Sequence, residues 1–292
     1  MRILLFSDIH YTTDLSQEEM TAIAPRARVS AAAGDAFGLT QREKLETARR
    51  WITAEHERSP LDAVLMLGDL SIDDYNWRNL PENYCEKCKK ELFDALPCPV
   101  HAIPGNHDSY PDQLWREIFG TPRQYSLDFG DFGVIMLDTF ANTPCKDASG
   151  SHYSGIDRAF VAKELVKFGS NPVLLCAHHV NDQQVDWDFA MFCKAHPNIR
   201  AIFRGHTHKS AVLPFTSQSI LPLIDIGGIA YDGFCLGGRW TFGIFNESWA
   251  WGYQILEFDG RFTSWHVKPP HRYVAENGIY DFPGEISAKI SF

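Results

Sequence analysis

Long hydrophobic runs are missing from this 292-residue chain, and no stretch approaches the roughly 20 apolar residues that a membrane-spanning helix needs. Positive charge is short as well. Against 37 Asp and Glu stand 27 Lys and Arg, a formal net charge of −10. A general nucleic-acid binder presents a basic face, so no nucleic-acid partner is expected, and no membrane partner either. Cysteine is too scattered for a disulfide framework: seven residues, an odd number, at positions 85, 88, 98, 145, 176, 193 and 235. They read as reduced, structural thiols. Cys85 and Cys88 form a CxxC with no second CxxC and no His pair nearby, which is half of a zinc site at most. The opening MRILLFSDIH has one Arg and only a short apolar run. A secretory leader would need an apolar region of about 7–15 residues and a small-residue cleavage site. The segment therefore reads as a strand, and the chain is expected in the cytoplasm. The composition of a disordered chain is absent too, since 45% of the residues are apolar.

What the chain does have is a series of short apolar runs, each ending in a polar knot. Residues 2–7, 63–67, 99–103, 172–177 and 199–203 read as buried strands. They deliver, in order, Asp8-Ile9-His10, Gly68-Asp69, Gly105-Asn106-His107-Asp108, His178-His179 and Gly205-His206-Thr207-His208. Open α/β sheets place their ligand sites at such strand ends. Each knot alone also suits a plain polar turn; five in succession are harder to explain that way. Asp8 and His10, like His206 and His208, are two residues apart, so in an extended segment each pair projects from one side. Asp69 could cap a helix or bind a ligand, and Leu-Ser-Ile-Asp-Asp after it is a poor helix start.

Helices are expected behind the capping box Thr40-Gln41-Arg42-Glu43 to about residue 57, over 84–96, from Asp157 to 168 and over 185–195. Residues 123–129 and 132–138 read as a hairpin around Gly130-Asp131. The Ala-rich stretch 11–39 reads as an irregular insertion or a short helix. After residue 208 the pattern turns to β alternation, over 210–215, 219–226, 239–247, 249–258 and 261–267, which suggests a second, mostly antiparallel sheet. One domain over 1–292 is expected, with the polar knots in 1–208 and a mostly β remainder, 209–292, completing the second sheet.

The strand-end residues Asp8, His10, Asp69, Asn106, His178, His206 and His208 make two carboxylates, an amide and four imidazoles. Mixed N and O donors suit Mn, Fe or Zn better than an all-oxygen Mg or Ca cage. Seven ligands are too many for one tetrahedral ion. They suit two divalent ions about 3.5–4 Å apart on a bridging carboxylate, the arrangement used to hydrolyse phosphoesters. Two such ions would outweigh two Asp and hold a phosphate on an acidic protein. A water between them would be acidified and become the nucleophile. His107 can give or take a proton, and Asp108 can hold the other nitrogen of that ring.

The order D-x-H, GD, GNHD, H, GH-x-H, spanning residues 8 to 208, resembles that of the calcineurin-like metallophosphoesterases. The resemblance implies a four-layer α/β/β/α sandwich with two facing mixed β-sheets and a dimetal site at strand C-terminal ends. It implies that Asp8, His10 and His208 hold one ion, that Asn106, His178 and His206 hold the other, and that Asp69 bridges. His178 is chosen over His179 because it comes first after the strand. His107 would stabilise the transition state or protonate the leaving oxygen, with Asp108 orienting it. The GD-x-V-D-R-G and GNHE of the phosphoprotein phosphatases have no match, since Asp69 is followed by Leu-Ser-Ile-Asp-Asp and the motif ends in Asp108. Purple acid phosphatases carry Tyr where this chain has Ile72, and the small phosphodiesterases often have Pro where it has Val180. What remains is similar to the branch that hydrolyses cyclic nucleotides and glycerophosphodiesters. The expected partner is a small phosphorylated substrate, and self-association is left open. A small-molecule phosphomonoesterase or nucleotide pyrophosphatase is the alternative, ahead of a nuclease or a silent binding module. Specificity is expected from residues 11–39, 71–84, 140–155 and 228–240. Trp77, Tyr110, Tyr231, Phe234 and Trp240 could stack on a base or lipid-like group, or simply pack. Trp249, Trp251 and Tyr253 alternate like one sheet face, and Arg239 and Asn181 are candidate phosphate contacts.

Overall fold

A strand buried on both faces needs an apolar layer on each side, and the computed structural model shows where those layers come from. The structure describes residues 1–12, 15–23, 39–71, 83–108, 110–140, 152–181, 187–214, 221–229, 233–236, 239–242, 251–275 and 278–292. The first half runs β1 (Arg2–Phe6), α1 (Gln17–Ile23), α2 (Gln41–Arg58), β2 (Ala63–Leu67), α3 (Tyr84–Glu91), β3 (Val100–Ile103), α4 (Asp112–Phe119), β4 (Tyr125–Asp128) and β5 (Gly133–Leu137). Then come α5 (Arg158–Phe168), β6 (Val173–Ala177), α6 (Trp187–Ala195), β7 (Ile199–Arg204), β8 (Ser210–Pro214) and β9 (Pro222–Ile226). The rest is β: β10 (Gly233–Leu236), β11 (Arg239–Phe242), β12 (Tyr253–Phe258), β13 (Phe262–Lys268), β14 (His271–Ala275), β15 (Gly278–Phe282), β16 (Glu285–Ile286) and β17 (Ile290–Ser291).

Two mixed sheets result. One has the order β16-β13-β12-β1-β2-β3, with β17 also on β13; the other has the order β4-β5-β6-β7-β9-β8. β1, β2 and β3 are parallel, as are β5, β6, β7 and β9, so their C-terminal ends gather at one edge of each sheet. Along β1 the side chains alternate between two cores. Ile3 and Leu5, with Leu65, Leu67 and Ile103, meet Val134, Met136, Leu174, Cys176, Phe203 and Ile224 of the other sheet. Leu4 and Phe6 turn the other way and pack with Leu45, Ala48, Trp51 and Ile52 of α2, Cys85 and Cys88 of α3 and Trp115 of α4. Behind the second sheet, Ile135, Val173, Leu175 and Ile202 pack on Val161, Leu165 and Phe168 of α5 and Phe189 and Cys193 of α6. Three apolar cores thus separate four layers, α/β/β/α. Each side chain of this size is worth about 1.5–3 kcal/mol when fully buried. Among the described residues no helix is long and apolar enough to cross a membrane.

The capping box is present: the Thr40 side chain accepts from the Glu43 N–H, and the Glu43 carboxylate accepts from the Thr40 N–H. Asp157 caps α5 through a bond from the Phe160 N–H. Two features differ from the sequence reading. Helix α4 was not anticipated, although Pro111 at its start and Gly120 at φ 71° after its end are ordinary boundary signals. The expected second antiparallel sheet does not form as one unit. β8 and β9 extend the second sheet, whereas β12 and β13 pair antiparallel beside β1 in the first. Alternation shows that a segment is a strand but not which distant strand it will pair with. Trp251 and Tyr253 share the helix-side core, as their alternation suggests. Ile72, Trp77, Tyr231 and Trp249 lie outside the described residues, as does most of 11–39, 71–84 and 140–155. Phe234, Arg239 and Trp240 are described only as backbone of β10 and β11.

Candidate metal centre

Past their C-terminal ends, β1 and β2 stay bonded through Asp8 N–H to the Gly68 carbonyl, His10 N–H to that of Asp69 and Tyr11 N–H to that of Leu70, each at 3.0 Å. The backbone nevertheless leaves the pleat. Among described non-glycine residues φ is positive at five positions: Asp8 (54°), His10 (50°), Asp69 (50°), His206 (66°) and His208 (52°). All five belong to the anticipated ligand set. The left-handed conformation costs roughly 1–2 kcal/mol per residue and persists only where the surroundings enforce it. The expectation that pleat alternation aims Asp8 with His10, and His206 with His208, is therefore corrected: left-handed turns aim them. Two glycines permit the close approach. A Cβ on Gly105 would sit 2.1 Å from Asp69 Oδ1, and one on Gly205 would sit 2.7 Å from Asp8 Oδ2.

The side chains converge in two groups. In the first, Asp8 Oδ1 lies 3.2 Å from His208 Nε2 and 3.5 Å from His10 Nε2. In the second, Asn106 Oδ1 lies 3.1 Å from His178 Nε2 and 3.0 Å from His206 Nδ1, and those two nitrogens are 3.2 Å apart. Asp69 stands between, its Oδ2 3.2 Å from both His10 Nε2 and His178 Nε2. Ser7 Oγ (2.5 Å) and the His206 N–H (2.9 Å) donate to Asp8 Oδ2, leaving Oδ1 toward the histidines. His178 Nδ1 contacts the Leu67 carbonyl at 2.8 Å; donating its proton there points the Nε2 lone pair at Asn106 and Asp69.

The electrostatics follow from that packing. Burial disfavours charge on Asp8, but His208, His10 and His178 prevail and hold its carboxyl well below the carboxylate range. Burial likewise opposes charge on Asp69, and His178 and His107 pull it down. Burial disfavours the cation on His178, yet Asp69 and Asp8 raise it to about 9. Burial and then the neighbouring His178 lower His206 to about 4.

The model of the calcineurin-like phosphoesterase family matches residues 1–210. The chain belongs to this family. Among solved structures it is similar to a dimetal phosphatase from Danio rerio, at 13% identity over 90% of this chain and 94% of that one, with a TM-score of 0.58. It is also similar to a phosphatase from Mycoplasma pneumoniae (10% identity, 100% and 93% covered, TM-score 0.44) and to Vps29 from Entamoeba histolytica complexed with zinc (12%, 100% and 99%, 0.41). At 13% identity the likeness to the Danio rerio phosphatase is one of fold. No curated protein matches the chain.

The residues present fit the metals of a calcineurin-like phosphoesterase. Neighbouring ligand atoms around an ion held at about 2.1 Å come roughly 3 Å apart, which is the spacing within both groups. Asp8, His10 and His208 form one set of candidate ligand atoms, Asp69, His178 and His206 another, and His10, Asp69 and His107 a third that overlaps both. A site for two divalent ions with Asp69 between them follows. His179 does not enter it; its ring packs 4.2 Å from that of His206. His107 is half-buried at the mouth, and its N–H donates to Asp69 Oδ1 at 2.9 Å.

Asp108 is placed differently from expectation. It does not hold the His107 ring. Its fully buried carboxylate accepts from the N–H groups of Leu70 (3.1 Å), Ser71 (3.1 Å) and Gly105 (2.9 Å), with Ser71 Oγ and Cys85 Sγ at 3.2 and 3.3 Å. It ties the two loops that carry Asp69 and Asn106 together. Burial and the Asp69 charge push its carboxyl up, against those donors. Cys85, half of the CxxC, donates to this carboxylate and packs in the core. Tyr110, a candidate stacking residue, is buried in the core beneath α3, its hydroxyl accepting from the Cys85 N–H.

Sequence reading missed several residues behind the site. Lys44 is fully buried and donates to the His10 carbonyl at 3.3 Å. Arg204 pairs with Asp225 at 2.5 Å and donates to the Val180 carbonyl, pinning the loop after His178. Arg123 likewise bonds Asp138 and the Tyr110 carbonyl, both at 2.5 Å. Only the buried Arg204, at the end of the fifth apolar run, could have drawn attention in sequence, as a charge closing an apolar strand.

Proposed function

We propose that this calcineurin-like phosphoesterase hydrolyses small phosphodiesters, of the cyclic-nucleotide or glycerophosphodiester kind, with Mn, Fe or Zn as its ions. The observation that carries the reading is the pair of His/Asp groups on a shared carboxylate, Asp69, at adjoining strand ends. Two divalent ions, when bound there, supply positive charge against the phosphoryl oxygens and make a water more acidic. The chain's own residues do the rest. Asp8, His10 and His208 on one side, and Asn106, His178 and His206 on the other, would hold the ions in fixed places. The His107 ring, whose nitrogen lies within 4.8 Å of the ligand atoms of His10 and Asp69, protonates the leaving oxygen as the water oxygen bonds to phosphorus and the ester P–O bond breaks.

Charge supports a diester over a monoester. A monoester dianion asks for more positive charge than a diester monoanion. Arg123 and Arg204, close behind the site, are committed to Asp138 and Asp225. The net charge of −10 agrees with a small phosphorylated substrate and not with nucleic acid. Cys85, Cys88, Cys98, Cys176 and Cys193 form no disulfide among the described residues, which suits a reducing compartment such as the cytoplasm.

The test compares bis-p-nitrophenyl phosphate with p-nitrophenyl phosphate on protein stripped of metal and reloaded with Mn. Strong preference for the diester is the expected result. A monoester preference moves the assignment to a small-molecule phosphatase, and inactivity on both with two ions bound removes the diester reading.

A further inference from the structure

A run of aromatic rings leads away from the second ligand group. The His179 ring lies 4.2 Å from that of His206 at 49°. Tyr153 meets His179 at 5.1 Å and 75°, and meets Phe140 at 6.0 Å and 70°. Phe140 closes the circuit, 5.8 Å from His178 and 6.5 Å from His206. Phe140 is buried, whereas Tyr153 remains 37% exposed. Packing explains the first ring and not the second: a tyrosine more than a third open to water adds little to a core.

Tyr153 is also held in place. Ser154 donates to the Thr139 carbonyl from both its N–H and its Oγ, each at 2.7 Å, which ties this segment to the end of β5. The Phe140 N–H donates to Asp138 Oδ1 at 2.9 Å, and Asp138 in turn holds Arg123. The backbone on both sides of the ring pair is thereby anchored at the mouth of the site. His179 and Phe140 both meet the Tyr153 ring steeply, edge to face. A rigid, half-open ring two contacts from a metal-binding imidazole is placed to meet whatever extends from a phosphoryl group seated at the ions.

We propose that Tyr153, backed by His179 and Phe140, is the specificity wall for a flat aromatic group on one ester arm of the substrate, as in a nucleoside or aryl phosphodiester. The proposal rests on the phosphodiester reading and narrows it, setting purely glycerol-type arms second. Stacking of one ring on an aromatic side chain corresponds to about a tenfold gain in affinity or more.

The test uses two anions that differ only by a ring, phenylphosphonate and methylphosphonate. Calorimetry on the Mn-loaded chain reads their binding without turnover. The wild type is expected to prefer the phenyl compound about tenfold. Tyr153→Phe should keep that preference, and Tyr153→Leu, similar in bulk but without a π face, should bring it close to one. The thermal midpoint of both variants should stay near that of the wild type, because the ring is so exposed. No phenyl preference in the wild type, or an undiminished one in Tyr153→Leu, overturns the proposal. If the preference is present but bis-p-nitrophenyl phosphate is not hydrolysed, the diester chemistry fails and the ring-binding wall stands.

Discussion

A proton and a metal ion compete for one lone pair on His178. In the metal-free chain Asp69 and Asp8 outweigh burial and keep that ring protonated up to about pH 9, whereas His206, at about 4, is already neutral. Metal uptake at the second group must therefore release one proton through the neutral range. Apparent Mn affinity should rise about tenfold per pH unit from pH 6 and level off near 9. Calorimetry in buffers of different ionisation enthalpy counts the proton directly, and a flat affinity profile would refute this account. His107 and Asp108 are sequence neighbours with separable roles. His107→Ala should lower kcat about 10²- to 10⁴-fold, with metal content and thermal midpoint unchanged. Asp108→Asn replaces an acceptor of three backbone N–H bonds and should cost about 1–3 kcal/mol in urea unfolding, even without metal. If Asp108→Asn instead lost turnover at full stability, the looser role of orienting His107 would return.

At the scale of elements, the strand ends explain why so much of the site was legible. The ligands sit one to four residues past β1, β2, β3, β6 and β7, and an apolar run broken by Asp, Asn or His is visible in sequence. The turns that aim them were not visible. The five left-handed residues sit among long-range bonds such as that of the His206 N–H to Asp8 Oδ2, 198 positions away. The buried Arg204–Asp225 pair joins β7 to β9 and also supports the loop carrying His178. Arg204→Met should destabilise the chain by about 3–5 kcal/mol, since it strands a buried carboxylate. Adding Asp225→Leu should recover most of that loss while the Val180 loop stays without its donor. Equal denaturant midpoints for Arg204→Met and wild type would show that the pair carries no such weight.

At the scale of the molecule, the sheet that presents Asp8 is completed from the far end of the chain. β12 pairs with β1 and β13 with β12, and His266 on β13 lies buried with Nε2 3.2 Å from the Trp251 carbonyl. Burial lowers His266 from 6.5 to about 4. The unfolded chain takes up this proton near 6.5 and the folded chain only near 4, so between the two the unfolded state binds more protons. Stability should thus fall as pH drops through that window, by at most about 3 kcal/mol from this group. Urea midpoints of wild type and His266→Gln at pH 7 and pH 5 isolate it: the wild type should lose more. Parallel losses would place the acid sensitivity elsewhere.

The sequence by itself determined the identity and order of the seven candidate ligands, most strands and helices, and the family to which the chain belongs. These are local facts, written in apolar runs, caps and the residues that interrupt them. Only the tertiary structure decided that left-handed turns aim the ligands, that Asp108 braces loops instead of His107, and that the C-terminal strands divide between the sheets. It alone placed Tyr153 beside His179. Each of those depends on contacts between residues tens to hundreds of positions apart, and no local pattern encodes which distant partner a strand end or a buried carboxylate will meet.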